Sequence, residues 1–425
     1  MAAVGSRIVA LDALRGFGIL GILAVHIQLF AMPLTARSNP TVSGSLDGAA
    51  GAVWLGTYVL ADGKFIAIFA MLFGAGIALQ AARRDADRLP AAPPHYRRMA
   101  ALLLIGVLHA YLLWYGDMLV MFALCGALVF QHRHLAPTRL IVAGAIILSV
   151  APLLSTALAW IAPDVLSQAT ANSGATREAL AREIAAYRGG WLRQQAHRVP
   201  TAWEFQTSYL VLRGVWQTSG LMLLGMGLYR TGALTGKRPA RWYATLAAGS
   251  FGAGIPLMLL AAGRSWTHGW DLRDHMLVVV HLEYWGNVLI GLGWVGAILL
   301  LCRRAIVPHA IVAVGRTALS NYLLATILCT TVFYGHGLGL FGSVDRVGQL
   351  AFVVFVWAIQ LIVSPWWLRR FATGPLEWAL RWATFGRRVP IRLTVAERAA
   401  SRQPFPTETS HEMSRPNRRR RDEET

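Results

Sequence analysis

Nine stretches of this chain are apolar over lengths that a soluble core does not call for: Leu14–Met32, Phe65–Ala82, Met99–Trp114, Leu140–Ile161, Tyr209–Tyr229, Trp242–Ala262, Met276–Cys302, Ile311–Tyr334 and Leu350–Leu368. Each approaches or exceeds the roughly 17–25 residues that cross a bilayer as a helix. A tenth, Met118–Phe130, is shorter and follows the turn-forming Trp114-Tyr115-Gly116-Asp117. In hydrocarbon every backbone N–H and C=O must find a partner within the protein, and for Leu/Ala/Gly segments of this length that means helix. The expected fold is an all-α polytopic membrane protein with about ten transmembrane helices.

Charge then reports topology. The chain is 55% hydrophobic and only 14% charged, yet 40 Lys and Arg against 21 Asp and Glu give a net charge of +19. With the N-terminus inside, 28 of the 40 basic residues fall in inner segments and 9 in outer ones, which predicts that both termini are cytoplasmic. No soluble module carries a basic stripe interleaved with aromatics, so a nucleic-acid partner is excluded. The expected partners are the lipid bilayer and, at the basic tail, anionic lipid heads; a homodimer is compatible with this. The three cysteines, Cys125, Cys302 and Cys329, lie in or at the ends of spans, spaced neither for metal nor for a disulfide.

The expected organisation is a transmembrane domain over 1–368, an interfacial helix and basic flank over 369–388 anchored by Trp378 and Trp382, and a disordered Arg-rich cytoplasmic tail over 389–425. The one long outer loop, 163–203, carries Leu180, Ile184, Tyr187 and Trp191 at helical spacing, which predicts an amphipathic helix on the bilayer surface. Leu14–Met32 is too long for the core of a cleavable signal peptide.

Polar groups inside spans carry the functional signal, because a charge in hydrocarbon costs several kcal/mol. Arg15 and His26 share a face of the first span, about three turns or ~16 Å apart along the axis. That places a cation suited to phosphate or carboxylate at the inner mouth and a titratable imidazole deep inside. A snorkelling Arg and a helix-bridging His are the plainer alternative. Asp62 and Lys64 open the second span, too close in sequence to share a helix face, so each is expected to pair elsewhere. His109 lies in the third span and Asp117 in the turn after it; Glu283 and Tyr284 lie in the eighth, and Asn321 with Arg316 in the ninth. Asp62, His109, Asp117, Glu283, Tyr284 and Asn321 are thus the candidate cavity-lining residues.

Four stretches resemble the YeiB-like family of bacterial inner-membrane proteins: the opening Arg7–Leu23 (RIVALDALRGFGILGIL), Asp62–Leu79 (DGKFIAIFAMLFGAGIAL), Leu108–Asp117 (LHAYLLWYGD), and the pair Gly315–Tyr322 (GRTALSNY) and Gly374–Arg381 (GPLEWALR), with Tyr334–Gly342 between. The resemblance spans nearly the whole chain. It implies a multi-pass protein of the inner membrane whose C-terminal half, about 209–388, is a domain of unknown function. More distantly, the first two spans are similar to the transmembrane acyltransferase superfamily, which includes the acyltransferase-3 proteins and heparan-glucosaminide acetyltransferase. Acyltransferase-3 proteins carry an Arg, ten residues and a His on their first span, a spacing that Arg15 and His26 reproduce. That resemblance implies an acyl thioester such as acetyl-CoA approaching from the cytoplasm, Arg15 holding its phosphate or pantetheine end and His26 acting as general base toward an envelope acceptor. The heparan enzyme's catalytic His precedes its Asp by ten residues, where this chain has Ala52, and many YeiB-like relatives have Asn in place of His26. Either His26 supplies the base here or the fold is shared and the chemistry differs.

The chemistry asks for proton removal from the acceptor and for donors to a developing oxyanion, for which Asn321, Tyr284 or a helix terminus are candidates. No phosphate-cradling Gly loop or Ser-His-Asp ordering stands out; Gly335–Gly342 reads as an outer turn, since no strand precedes it. A membrane acyltransferase-like enzyme is therefore the leading expectation. A transporter or lipid- or metabolite-binding protein without acyl chemistry is the alternative, favoured by the embedded Asp62, His109 and Glu283. A structural or assembly factor is a third.

Overall fold

In the computed structural model, residues 8–161, 176–386 and 390–392 are described. They are helical throughout apart from connecting turns and one isolated bridge between Phe371 and Arg392. The Arg-rich tail lies outside the described residues.

The chain begins with α1 (Val9–Ala31), followed by α2 (Gly48–Leu60), α3 (Lys64–Ala86), α4 (Ala92–Leu108, extended by a π-helical turn to Leu113), α5 (Leu119–Val129) and α6 (Pro137–Ile161). Then come α7 (Arg177–Arg188), α8 (Trp191–Glu204), α9 (Val215–Arg230, preceded by a π-helical Phe205–Gly214) and α10 (Ala240–Thr267). The remainder is α11 (Val280–Arg303), α12 (His309–Arg316), α13 (Ala318–Phe333), α14 (Arg346–Leu368) and α15 (Pro375–Phe385).

Seven helical runs are long and apolar enough to cross a membrane, or eight when the sharply bent α12–α13 pair is one span. The other two expected spans are not among these: Leu119–His132 is a short apolar helix, and α9, of 16 residues, continues from the π-helical Phe205–Gly214. Ahead of the expected second span stands α2, an apolar helix that none of the expected windows includes, running into α3 through the Asp62-Gly63 turn.

α1 is the axis of the bundle. It packs against α3, α12, α13 and α14, and buries residues around its whole circumference, as a helix apolar on all sides must. Elsewhere helices close by small residues, the usual contact where lipid offers no competing hydrophobic drive. α3 and α9 cross so tightly that Gly74 faces the backbone of Met222 and Gly225 faces the backbone of Met71, leaving no room for a Cβ at either.

The outer-loop stripe does form helix over α7, yet Tyr187 is buried, its ring 4.7 Å from that of Tyr334 and 4.6 Å from that of Phe341. At that end the stripe faces protein. α8 contributes the buried Arg198, which donates to the Leu112 carbonyl at 2.7 Å and so satisfies a group that the π-helical turn after α4 leaves free.

The break between α12 and α13 turns the chain by 87° at Thr317. It exposes backbone groups, and two side chains take them up. Glu377 on α15 accepts from the Leu319 and Ser320 N–H groups at 2.6 and 3.1 Å and from the Ser320 hydroxyl at 2.5 Å. Asn321 donates to Thr317 Oγ1 at 2.8 Å and to Ser364 Oγ at 2.9 Å. The helix expected to be interfacial therefore also caps the broken span.

Candidate functional site

Three spaces lie along α1. The largest, about 320 Å³, sits at the Arg15 end, within the range of small-molecule sites. Arg15, Arg98 and Arg316 line it together with Asp12, Gln80 and Glu377, and its walls are apolar: Ile19, Phe69, Phe73, Leu102 and Phe122 among them. The carboxylates are engaged, since Asp12 binds Arg15 at 2.9 Å and Glu377 is turned onto the start of α13. Arg98 has no carboxylate partner among the described residues; its guanidinium stands 5.5 Å from the centre of the Phe73 ring. A cation left without a counter-charge beside an apolar hollow is suited to a ligand with an anionic head and an apolar or uncharged arm.

The second space is a small pocket of about 10 Å³, room for one water at most. His26 lines it with Asn321, Tyr322, Ala325 and Thr326, and it shares Ile19, Ile22 and Tyr322 with the large cavity. His26 is 4% exposed and makes no hydrogen bond among the described residues; its ring packs 4.9 Å from that of Trp114. Trp114 also stacks on Phe30 at 4.1 Å and lies 6.3 Å from His109. Beside this pocket the buried His109 bridges two partners, Asp117 Oδ2 at 2.7 Å from Nδ1 and Thr326 Oγ1 at 3.0 Å from Nε2.

The third space, about 20 Å³, lies at the opposite end of α1 and is lined by Gln28, Arg37, Trp54, Thr57, Tyr58 and Asp62. Arg37 pairs with Asp62 at 3.1 Å, and desolvation works against a strong Asp62 attraction that raises the Arg37 pKa further. Tyr58 donates to Glu283 at 2.8 Å. The buried Lys64 donates to the Tyr58 carbonyl, a group released where α2 gives way to α3. Gly63, at φ +77°, makes that turn, and a Cβ there would meet the Asn287 amide.

The candidates are thus ranged along one helix rather than gathered in one chamber. Arg15 is in the large cavity, His26 and Asn321 line the small pocket, His109 and Asp117 stand behind it, and Asp62 lines the far pocket with Glu283 bonded to its wall. Asp62 and Lys64 do pair separately, as their spacing requires. Two oxyanion candidates are spent elsewhere: the Tyr284 hydroxyl donates to the Leu148 carbonyl at 2.7 Å, and the Asn321 amide is occupied at the helix break. Sequence reasoning gave a chemical role to Arg15 alone among the basic residues, whereas Arg98 and Arg316 line the same cavity. It also passed over Tyr322, Thr326 and Arg37. Tyr322 and Thr326 fall on one face of a helix, one turn apart, but so do apolar neighbours, and only the fold shows which face meets His26. Among the described residues no cluster could hold a metal ion.

The family described as "Protein of unknown function (DUF418)" matches residues 228–387. The chain is 32% identical over 391 residues to "Uncharacterized protein YeiB" of Escherichia coli (strain K12), a match covering 89% of this chain and 96% of that protein. It is 27% identical over 407 residues to "Uncharacterized protein YxaH" of Bacillus subtilis (strain 168), covering 89% of this chain and 94% of the relative. A third relative, "Uncharacterized 39.9 kDa protein in amylase 3'region" of Bacillus acidopullulyticus, is 26% identical over 396 residues. No solved structure matches.

Proposed function

The chain belongs to the YeiB-like family that carries the DUF418 region, and from that premise we propose that it is a membrane acyltransferase-like enzyme. The observation that carries the reading is the pairing of a ligand-sized cavity, lined by Arg15, Arg98 and Arg316, with an adjoining small pocket lined by the buried His26, which makes no hydrogen bond among the described residues. In this reading both termini are cytoplasmic and the protein resides in the inner membrane. The arginines hold the phosphates of an acyl-CoA and the apolar walls take its pantetheine arm and acyl group. His26 removes the proton of an acceptor hydroxyl or amine as that atom bonds to the thioester carbon. The C–S bond breaks, and the proton passes to the departing thiolate. Tyr322, which lines both spaces, is placed to donate to the oxyanion. The small volume around His26 excludes water, which guards the thioester against hydrolysis.

The test is thiol release from acetyl-CoA by purified protein in liposomes, in the presence of a crude envelope extract as acceptor source. Wild type releases CoA thiol with turnover and His26→Ala does not. Equal turnover in the two removes His26 as the base. The alternative, a transporter or metabolite-binding protein without acyl chemistry, draws on the Arg37–Asp62 pair and Glu283 at the far end of α1; uptake into vesicles that depends on Glu283 but not on His26 would favour it.

A further inference from the structure

His109 does more in this fold than join two helices. Asp117, when ionised, can only accept, so His109 Nδ1 carries the hydrogen of the 2.7 Å bond between them. Asp117 is itself held in place, since its other oxygen accepts from the Val120 N–H at 2.9 Å at the start of α5. The Nε2 lone pair of His109 is then directed at Thr326 Oγ1, 3.0 Å away, and the hydroxyl donates to it in competition with the Tyr322 carbonyl, which lies farther off at 3.3 Å. A carboxylate fixes the tautomer of an imidazole, and the imidazole faces a hydroxyl. These are the three parts of an activated-nucleophile relay. All three residues are buried, with exposures of 1% at Asp117, 2% at His109 and 1% at Thr326.

The order Asp117, His109, Thr326 cannot be seen in the sequence, because Thr326 lies more than two hundred residues beyond His109. The fold brings it there on α13, and the same Thr326 lines the pocket that holds His26. One turn earlier, Tyr322 accepts from the Met118 N–H at 3.4 Å through its hydroxyl, which leaves the hydroxyl proton to donate. Its ring lies 5.1 Å from that of His109. Thr326 and Tyr322 therefore line the pocket together with His26, and His109 and Asp117 stand behind Thr326.

We propose that Thr326 is a covalent acyl carrier: a nucleophile activated by His109, with Asp117 as the positioning residue. This rests on the acyl-transfer reading and adds a step to it. Thr326 Oγ1 attacks the thioester carbon, a C–O bond forms and the C–S bond breaks. The Thr326 proton moves to His109 Nε2 and on to the thiolate. In the second half-reaction the acceptor's oxygen or nitrogen bonds to the acyl carbon, His26 takes the acceptor proton, the ester C–O bond breaks, and His26 returns that proton to the departing Thr326 alkoxide. Two imidazoles around one pocket then have separate tasks, one in each half.

The experiment is acid-quench mass spectrometry of the full-length protein in liposomes after exposure to acetyl-CoA without acceptor, and in parallel to p-nitrophenyl acetate. The expected result is an acetyl adduct on Thr326 in wild type and in His26→Ala. Thr326→Val, nearly isosteric, loses the adduct while eluting as a single species with unchanged acetyl-CoA binding by isothermal titration; Thr326→Ser keeps it, and His109→Gln slows its formation by a hundredfold or more. Thiol release by wild type with no adduct, and equal turnover by Thr326→Val, overturns the proposal and leaves acyl transfer by direct attack. No thiol release but acetylation of Thr326 by the nitrophenyl ester supports the nucleophile and removes acyl-CoA as the donor. No adduct from either reagent overturns the nucleophile outright.

Discussion

Arg15 and His26 stand about three turns apart on one helix and face separate spaces that share Ile19, Ile22 and Tyr322 as walls. A cation that recognises and an imidazole that reacts are thereby set at a fixed separation, with apolar side chains between them. This division of labour governs what each substitution should do.

Arg98 has no carboxylate partner among the described residues, so replacing it removes attraction for an anionic donor without stranding a buried charge there. Arg98→Gln should raise the donor KM about tenfold, equivalent to ~1.4 kcal/mol, with kcat within about twofold. Initial rates of thiol release against acetyl-CoA concentration check this; a fall in kcat at constant KM would place Arg98 in the chemistry instead.

The Asp62-Gly63 turn should tolerate no side chain. Gly63→Ala forces a Cβ into a positive φ and against Asn287, at a cost of about 1–3 kcal/mol. Thermal unfolding in detergent, followed by tryptophan fluorescence, should show a lower midpoint. An unchanged midpoint would mean that the turn relaxes freely.

Glu377 supplies a pH signature. Burial pushes its carboxyl above the usual value of 4.5, against the Ser320 and Leu319 hydrogen bonds that favour the charged form. A group that binds its proton more tightly folded than unfolded adds stability below the unfolded pKa and loses it as pH rises through the folded one. The advantage of wild type over Glu377→Gln in melting temperature should therefore shrink as pH is raised from about 4 into the neutral range. An advantage that grows with pH would reverse the assigned direction.

Arg37 and Asp62 form a partly exposed pair, with side-chain exposures of 44% and 25%. Such pairs contribute about 0–1 kcal/mol, so Arg37→Ala should barely move the melting temperature. If the far pocket admits the acceptor, the same variant should raise the KM for acceptor while leaving that for acetyl-CoA alone. Equal effects on both would argue that Arg37 acts through the fold.

Most of the membrane architecture was legible because hydropathy over about 20 residues is a local property. α1, α3, α6, α10 and α14 each cover an expected window, apart from Met32 at the end of the first, and each starts earlier than its window by one to five residues. What the sequence underspecified was non-local. α9 and α5 pack closely on neighbouring helices, with Met222 and Met226 of α9 and Cys125 of α5 fully buried, while Leu124 and Leu128 of α5 face outward. The Arg15–His26 relation was legible since both lie on one helix. The His109–Asp117 pair was not, because a continuous helix would separate residues eight apart by about 12 Å. Here a π-helical turn ends at Leu113 and the chain folds back through Trp114–Asp117, which brings the two within 2.7 Å. Arg98 read as one more basic residue of an inner loop, because nothing local marks which arginines face a cavity.

The central claim is that recognition sits at the arginine cavity and reaction at His26. The measurement that reaches it most directly is a paired one on His26→Ala in liposomes: acetyl-CoA binding by isothermal titration, and thiol release under the same conditions. The account predicts that the variant binds the donor within about twofold of wild type and releases at most one equivalent of thiol, with no turnover beyond it. Wild-type thiol release by the variant, or loss of donor binding with the imidazole, would contradict it.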